Sequence, residues 1–142
     1  MATNASTRTP AQLFGLVFGV VYLLVGIAGF FVASEVTGGS ADDKLIAFPV
    51  NHLHNIIHLL IGGSLIFGST RADLAKTMNL ANGVVLALVA VLGFLGLEFM
   101  QTLINDRGVA DDFLHLVTAI LAIYFGTAGA TAAGAASTSA EI

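Results

Sequence analysis

The chain has 142 residues, 56% of them apolar and only 10% charged, with a net charge of −4. A water-soluble domain carries about 25% charged residues, so this composition excludes a chain that covers itself with a water-facing surface, and no basic tract suits nucleic acid. With no cysteine in the chain, disulfides and thiolate metal sites are excluded as well.

Residues 1–9 are small and polar and read as a flexible tail. The first apolar segment, about 13–34, is longer than the roughly 7–15 residues of a signal-peptide core. Only Arg8 precedes it, and Val32-Ala33-Ser34-Glu35 is a poor cleavage site, so it reads as an uncleaved membrane span. Gly15 and Gly19 give it a small-residue face for close helix contact. Gly26 and Gly29 lie further along, in a stretch equivalent to Gly93 and Gly96, which predicts that the first and third spans cross closely. An acidic loop follows, and residues 44–48 are expected to lie along the membrane surface.

The second span, about 51–69, opens with Asn51, His52, His54, Asn55 and His58. Residues three and four apart share a helix face, so Asn51, His54, Asn55 and His58 form one stripe, while His52 points elsewhere. At 1.5 Å per residue, His58 lies about 10 Å below Asn51. The third span, about 79–100, ends with Glu98. The fourth, about 112–130, opens with Asp111, Asp112 and His115, and carries a small-residue row at Ala122, Gly126 and Ala130. Residues 134–142 read as a second flexible tail. The whole chain is one membrane domain.

Arg8, Arg71 and Lys76 fall on one side of this arrangement, and Lys44 and Arg107 on the other. The positive-inside rule then puts both termini in the cytoplasm and the acidic loops outside. The spans also repeat. Displacing the chain so that Gly19 falls on Gly83 also superposes Gly29-Phe30 on Gly93-Phe94. A similar displacement puts Asn55 on Asp112, His58 on His115 and Leu59 on Leu116. The expected fold is therefore all-α: an integral membrane four-helix bundle built from two tandem helical hairpins. Parallel repeats of this kind are related by a pseudo-two-fold along the membrane normal.

That symmetry brings the polar stripes together in the outer half of the bundle. Burying a polar group in a membrane without a partner is costly, so the cluster needs a role. One is a structural polar lock in which Asn51, Asn55 and Asp111 cap helices or bond across them. A second is a metal site: His54 and His58 at i,i+4, completed by His115 with Glu98 or Asp112, suit zinc, copper or iron. A third is haem b held by His58 and His115 as axial ligands, although no arginine pair is present for the propionates. A fourth is a proton or quinone site, where a neutral imidazole beside a carboxylate exchanges protons near neutral pH. No nucleophile–base pair or nucleotide-binding motif is present, which weighs against a stand-alone enzyme.

The pattern Asn51-x-x-His54-Asn55-x-x-His58-Leu59-x-x-Gly62, with Asp112-x-x-His115-Leu116, resembles a family of small four-span bacterial membrane proteins, mainly actinobacterial, classed as a domain of unknown function. The similarity covers about residues 12–130 and implies a four-helix integral membrane protein without an assigned activity. The expected function is that of a small accessory or scaffold protein in the bacterial cytoplasmic membrane, whose outer cluster locks the bundle and binds a metal or cofactor. The alternatives are a haem-binding redox protein or a subunit of a larger membrane complex. The expected partners are the lipid bilayer and either a membrane-complex subunit or a second copy of the chain.

Overall fold

The computed structural model describes residues 8–128. The C-terminal tail, Ala130, the end of the fourth expected span and most of the N-terminal tail lie outside the described residues. In chain order the described elements are α1 (Pro10–Gly29), β1 (Lys44–Leu45), β2 (Phe48–Pro49), α2 (His52–Gly68), α3 (Ala72–Phe94), α4 (Glu98–Ile104) and α5 (Val109–Gly126). They form an all-helical fold with one small antiparallel hairpin, in which Lys44 pairs with Pro49 and Leu45 with Phe48.

The first two long helices start where a side chain caps them. At α1, Thr9 and Gln12 form a reciprocal capping box ahead of Pro10, a combination that satisfies free N–H groups and presets the first turn. Asn51 caps α2 by accepting a hydrogen bond from the His54 N–H at 2.8 Å. A tight turn at residues 69–71 leads directly into α3.

The third and fourth segments depart from expectation. Helix α3 runs from Ala72 to Phe94 rather than over 79–100, and a separate short helix carries Glu98. Hydropathy misses the start because Asp73, Lys76 and Asn79 dilute it. The end is set by Gly96, whose φ of +64° is a conformation that glycine adopts without penalty. Helix α5 starts three residues before the first expected position, with Gly108 as its cap residue. Asp111 and Asp112 therefore sit in its first turn, where carboxylates are favoured by the helix dipole, rather than at the cap.

The most extensive helix contacts pair α1 with α2 and α3 with α5. The glycine rows serve these pairs. A side chain at Gly19 would run into Gly62 and Ile66 of α2, and one at Gly83 into Ala122 and Ile123 of α5. Gly26 and Gly29 also face α2, and Gly93 faces α5, which corrects the expectation that these residues bring α1 against α3. Gly96 has open space around it. A small apolar core of Tyr22, Ile61, Leu65, Leu86 and Ala119 lies where the pairs meet.

Helices α1, α3 and α5 are each long and apolar enough to cross a membrane, while α2, at 17 residues, is a shorter apolar helix. Large apolar side chains such as Leu24, Leu60, Leu88 and Phe113 are exposed. Buried positions instead include Asn51, His54, Asn55, Asn79, Asp112 and His115. This inversion suits a chain solvated by lipid rather than water and marks a membrane protein.

Candidate functional site

The helix pairs have two ends. The termini end carries the start of α1, the α2–α3 turn and the last turn of α5. The loop end carries the loops at 30–51 and 95–108. At the loop end, three sets of hydrogen bonds join the two loops, two centred on asparagines and one on an arginine. Asn51 Nδ2 donates to the carbonyls of Gly38 (3.1 Å) and Leu103 (3.0 Å). Asn105 Nδ2 donates to those of Ser40 (3.0 Å) and Val50 (3.2 Å). Arg107 binds Asn105 Oδ1 through Nε and the Gly39 carbonyl through a terminal nitrogen. Asn105 adopts a left-handed conformation (φ +57°) that ends α4, a role asparagine fills readily. The two loops thus form a hydrogen-bonded cap over the helices.

Beneath that cap lie His54, His58 and His115, all buried. Each offers a nitrogen, and the three nitrogens lie within 4.8 Å of one another. His54 Nδ1 is 3.0 Å from the Ile104 carbonyl. A carbonyl can only accept, so Nδ1 carries the proton and Nε2 of the neutral ring presents a lone pair. That Nε2 lies 3.2 Å from His58 Nε2. His58 and His115 stand edge to face with ring centroids 5.9 Å apart, and Tyr22 stands edge to face with His58 at 5.0 Å.

Asp111 is the carboxylate that joins this group. Its Oδ2 lies 3.7 Å from both His54 Nε2 and His115 Nδ1. Neither distance is a hydrogen bond, and Asp111 Oδ2, His58 Nδ1 and His115 Nδ1 are buried without hydrogen-bond partners. Such unmatched atoms are uncommon in a folded interior and call for an explanation.

The remaining residues expected in the cluster lie elsewhere. Glu98 is exposed in the first turn of α4, so the expected Glu98 ligand is not brought to the histidines. The break in the third helix at residues 95–97 carries it away. Asp112 is buried against Gly93, beside Asp106, on the face of α5 turned to α3, while Asp111 rather than Asp112 faces the imidazoles. Asn55 is packed with its amide against Gly29 of α1. His52 stacks on Phe30 with centroids 5.3 Å apart.

Asp106 was not singled out by the sequence. Burial, followed by the negative charges of Asp112 and Asp111, pushes its carboxyl up to about 7. The Asp43 carboxyl in the first loop is held below the usual carboxylate range, chiefly by hydrogen bonds from Ser34 Oγ at 2.7 Å and the Ser40 N–H.

A second polar group, also unforeseen, occupies the termini end and the middle of the helices. Asn79 Nδ2 donates to the Ala11 carbonyl at 2.9 Å, and Gln12 Nε2 to the Ser69 carbonyl at 3.0 Å. Asn82 Nδ2 donates to Ser64 Oγ at 2.9 Å and to the Met78 carbonyl at 2.8 Å. The signal was present in the sequence, since Ser64, Asn79 and Asn82 interrupt apolar stretches. Their neutral side chains carry no spacing that distinguishes them from surface positions.

Comparison with known proteins finds no curated protein and no solved structure that matches. A family profile, DUF4383, described as a domain of unknown function, matches residues 12–128. That range takes in all five helices except the first two residues of α1, together with every residue of the histidine cluster, so the chain belongs to the DUF4383 family of unknown function.

Proposed function

We propose that this chain is a four-span accessory protein of the bacterial cytoplasmic membrane that holds one transition-metal ion between His54, His58 and His115. In this reading both termini are cytoplasmic and the metal lies in the outer half. The observation that carries it is the convergence of three buried imidazole nitrogens within 4.8 Å. Two nitrogens on one tetrahedral ion with Zn–N bonds of about 2.0–2.1 Å stand roughly 3.3 Å apart. The His54–His58 nitrogen separation is 3.2 Å. The Ile104 carbonyl supplies the outer-sphere hydrogen bond that orients a metal-binding imidazole and fixes its tautomer. Asp111 supplies negative charge beside two of the three rings. An all-imidazole set with a carboxylate neighbour suits zinc, copper or iron.

Haem is less well supported. A porphyrin plane bound by His58 must occupy the space in front of its ligating nitrogen, and for Nε2 that space holds His54 Nε2.

Repeated contacts support a two-hairpin architecture with a pseudo-two-fold. Gly29 receives Asn55 as Gly93 receives Asp112, and Gly19 meets Ile66 as Gly83 meets Ile123. These are equivalent positions in the sequence repeat. Helix α2 spans about 26 Å at 1.5 Å per residue, close to the roughly 30 Å of a bilayer core, which supports its counting as a fourth span.

Elemental analysis of gently solubilised protein from metal-replete cells tests the reading. Near-stoichiometric metal is expected, and it is lost when His54 and His58 are both replaced by alanine. Folded parent protein without metal would overturn the assignment, and a Soret absorption band removed by His58→Ala would favour haem instead.

A further inference from the structure

The histidine cluster also forms part of the wall of a cavity of about 220 Å³ between α2, α3 and α4. Its interior is set by Ile61, Leu86 and Met100, all buried, together with the three imidazoles. Its rim is set by Val85, Leu88, Phe99 and Leu103, all of them exposed on the apolar surface. The rim thus belongs to the face that suits lipid, and helix α4, part of the second capping loop, closes the wall at the loop end. A molecule reaching this cavity from the side comes from the hydrocarbon phase. It must be neutral and largely apolar, because a charged molecule pays heavily to enter there.

Size narrows the class. An apolar protein cavity of about 150 Å³ holds benzene, so about 220 Å³ accommodates one substituted ring and not a fused polycycle with bulky groups. Chemistry narrows it further. The polar side chains on the wall are the imidazoles of His54, His58 and His115. A neutral imidazole both donates and accepts, so it matches a carbonyl or hydroxyl oxygen on the ring.

We propose that this cavity is a binding site for a lipid-soluble, single-ring quinone or phenol, its ring between α2, α3 and α4 and one oxygen hydrogen-bonded to His58 or His115. The proposal rests on the membrane reading and on the same imidazoles as the metal assignment, but it does not require a metal.

The test uses the full chain in lipid nanodiscs with ¹⁵N-labelled histidine. Two tetramethyl-substituted rings serve as probes: duroquinone, and durene, which has the same shape without the oxygens. Duroquinone is expected to shift the imidazole resonances of His58 or His115 saturably, at one molecule per chain, and durene to leave them in place. Val89→Phe fills the cavity from α3 and is expected to weaken duroquinone binding at least tenfold. Leu92→Phe serves the same purpose if the first variant does not fold. Equal shifts with both probes, a response that only tracks partitioning into the lipid, or full binding by the filled variant would each overturn the proposal. Metal content measured on the same samples separates the two readings. Duroquinone binding to metal-free chain leaves this site standing without the metal, and metal retained by a Val89→Phe chain that no longer binds duroquinone leaves both standing as separate functions.

Discussion

The α1–α2 pair and the α3–α5 pair share two glycine contacts and hold different chemistry beside them. In each pair a glycine near the loop end receives a polar side chain from the partner helix: Gly29 takes the Asn55 amide and Gly93 takes the Asp112 carboxylate. One helical position earlier, the first pair carries His54 and the second carries Asp111, and these two equivalent residues approach each other at 3.7 Å. One turn deeper, both carry histidine, His58 and His115, and these also meet. The glycine contact is shared, while the first pair is basic and amidic where the second is acidic. A site at which equivalent positions meet can thus combine three imidazoles with a carboxylate, which two identical halves could not supply in that ratio.

The sharpest way to break this comparison is to remove one imidazole from each pair. If both contribute to one ion, His58→Ala and His115→Ala each lower bound metal by an order of magnitude or more, and metal added to either no longer raises its melting temperature. Stabilisation by a ligand depends on its affinity for the folded state alone, so the parent should show that rise. Metal kept by the His115→Ala chain would mean that α2 binds alone, and the two pairs would not share a site.

Next in size are the glycines. Gly29→Ala and Gly93→Ala place a methyl group on Asn55 and Asp112 respectively. Overpacking of this kind costs about 1–3 kcal/mol, so both should lower the melting temperature, and by similar amounts if the two contacts are equivalent. Gly63, where a side-chain methyl would stand in open space, is the control: Gly63→Ala should be neutral or stabilising, since alanine favours a helix by up to about 1 kcal/mol over glycine. A large loss at one of Gly29 and Gly93 with none at the other would show that the pairs pack differently.

Much of this was readable from the residues. Apolar runs marked the long helices, the i,i+4 spacing put His54 and His58 on one face, and the offset repeat paired Asn55 with Asp112 and His58 with His115. What could not be read was rotational phase and helix ends. The expected helix start near Asp111 put Asp112 among the ligands and Asp111 among the capping residues; the actual start at Val109 and the contact with Gly93 turn Asp112 toward α3 and leave Asp111 for the histidines. Likewise Glu98 was expected on the third span because apolar composition continues past Phe94. The helix breaks there at Gly96, and hydropathy is blind to a backbone angle.

The polar residues toward the termini end sharpen the comparison from outside it. Asn79, Asn82, Ser64 and Gln12 bond mainly to backbone carbonyls or to one another, and of their buried side-chain atoms only Asn79 Oδ1 is without a partner. That is the behaviour of a lock, whereas the loop-end cluster leaves imidazole and carboxylate atoms unmatched. Interhelical polar bonds in membranes average about 0.6 kcal/mol, with a maximum near 1.7. Asn79→Ala should therefore lower the melting temperature slightly and leave metal content unchanged. Loss of metal in that variant would join the two polar groups into one system and remove the distinction.

The last expected effect is a pH slope that only the second pair can produce. Its Gly93 contact carries Asp112 beside Asp106, while the matching contact in the first pair carries the neutral Asn55. Asp106, in the loop before α5, has its carboxyl pushed up to about 7, first by burial and then by Asp112 and Asp111. Unfolded, it titrates near 4. Between those values the folded chain binds more protons than the unfolded chain, so its stability falls as pH rises from about 4 toward 7 and levels off above. Asp106→Asn removes this contribution. Its melting temperature relative to the parent should therefore climb between about pH 5 and pH 7.5 and then hold steady. Asp112→Asn, which gives the second pair the neutral group of the first, lowers the upper limit of that window and should flatten part of the same slope. Parallel melting curves for parent and Asp106→Asn across this range would show that the carboxyl pair is no more sensitive to protons than its amide counterpart.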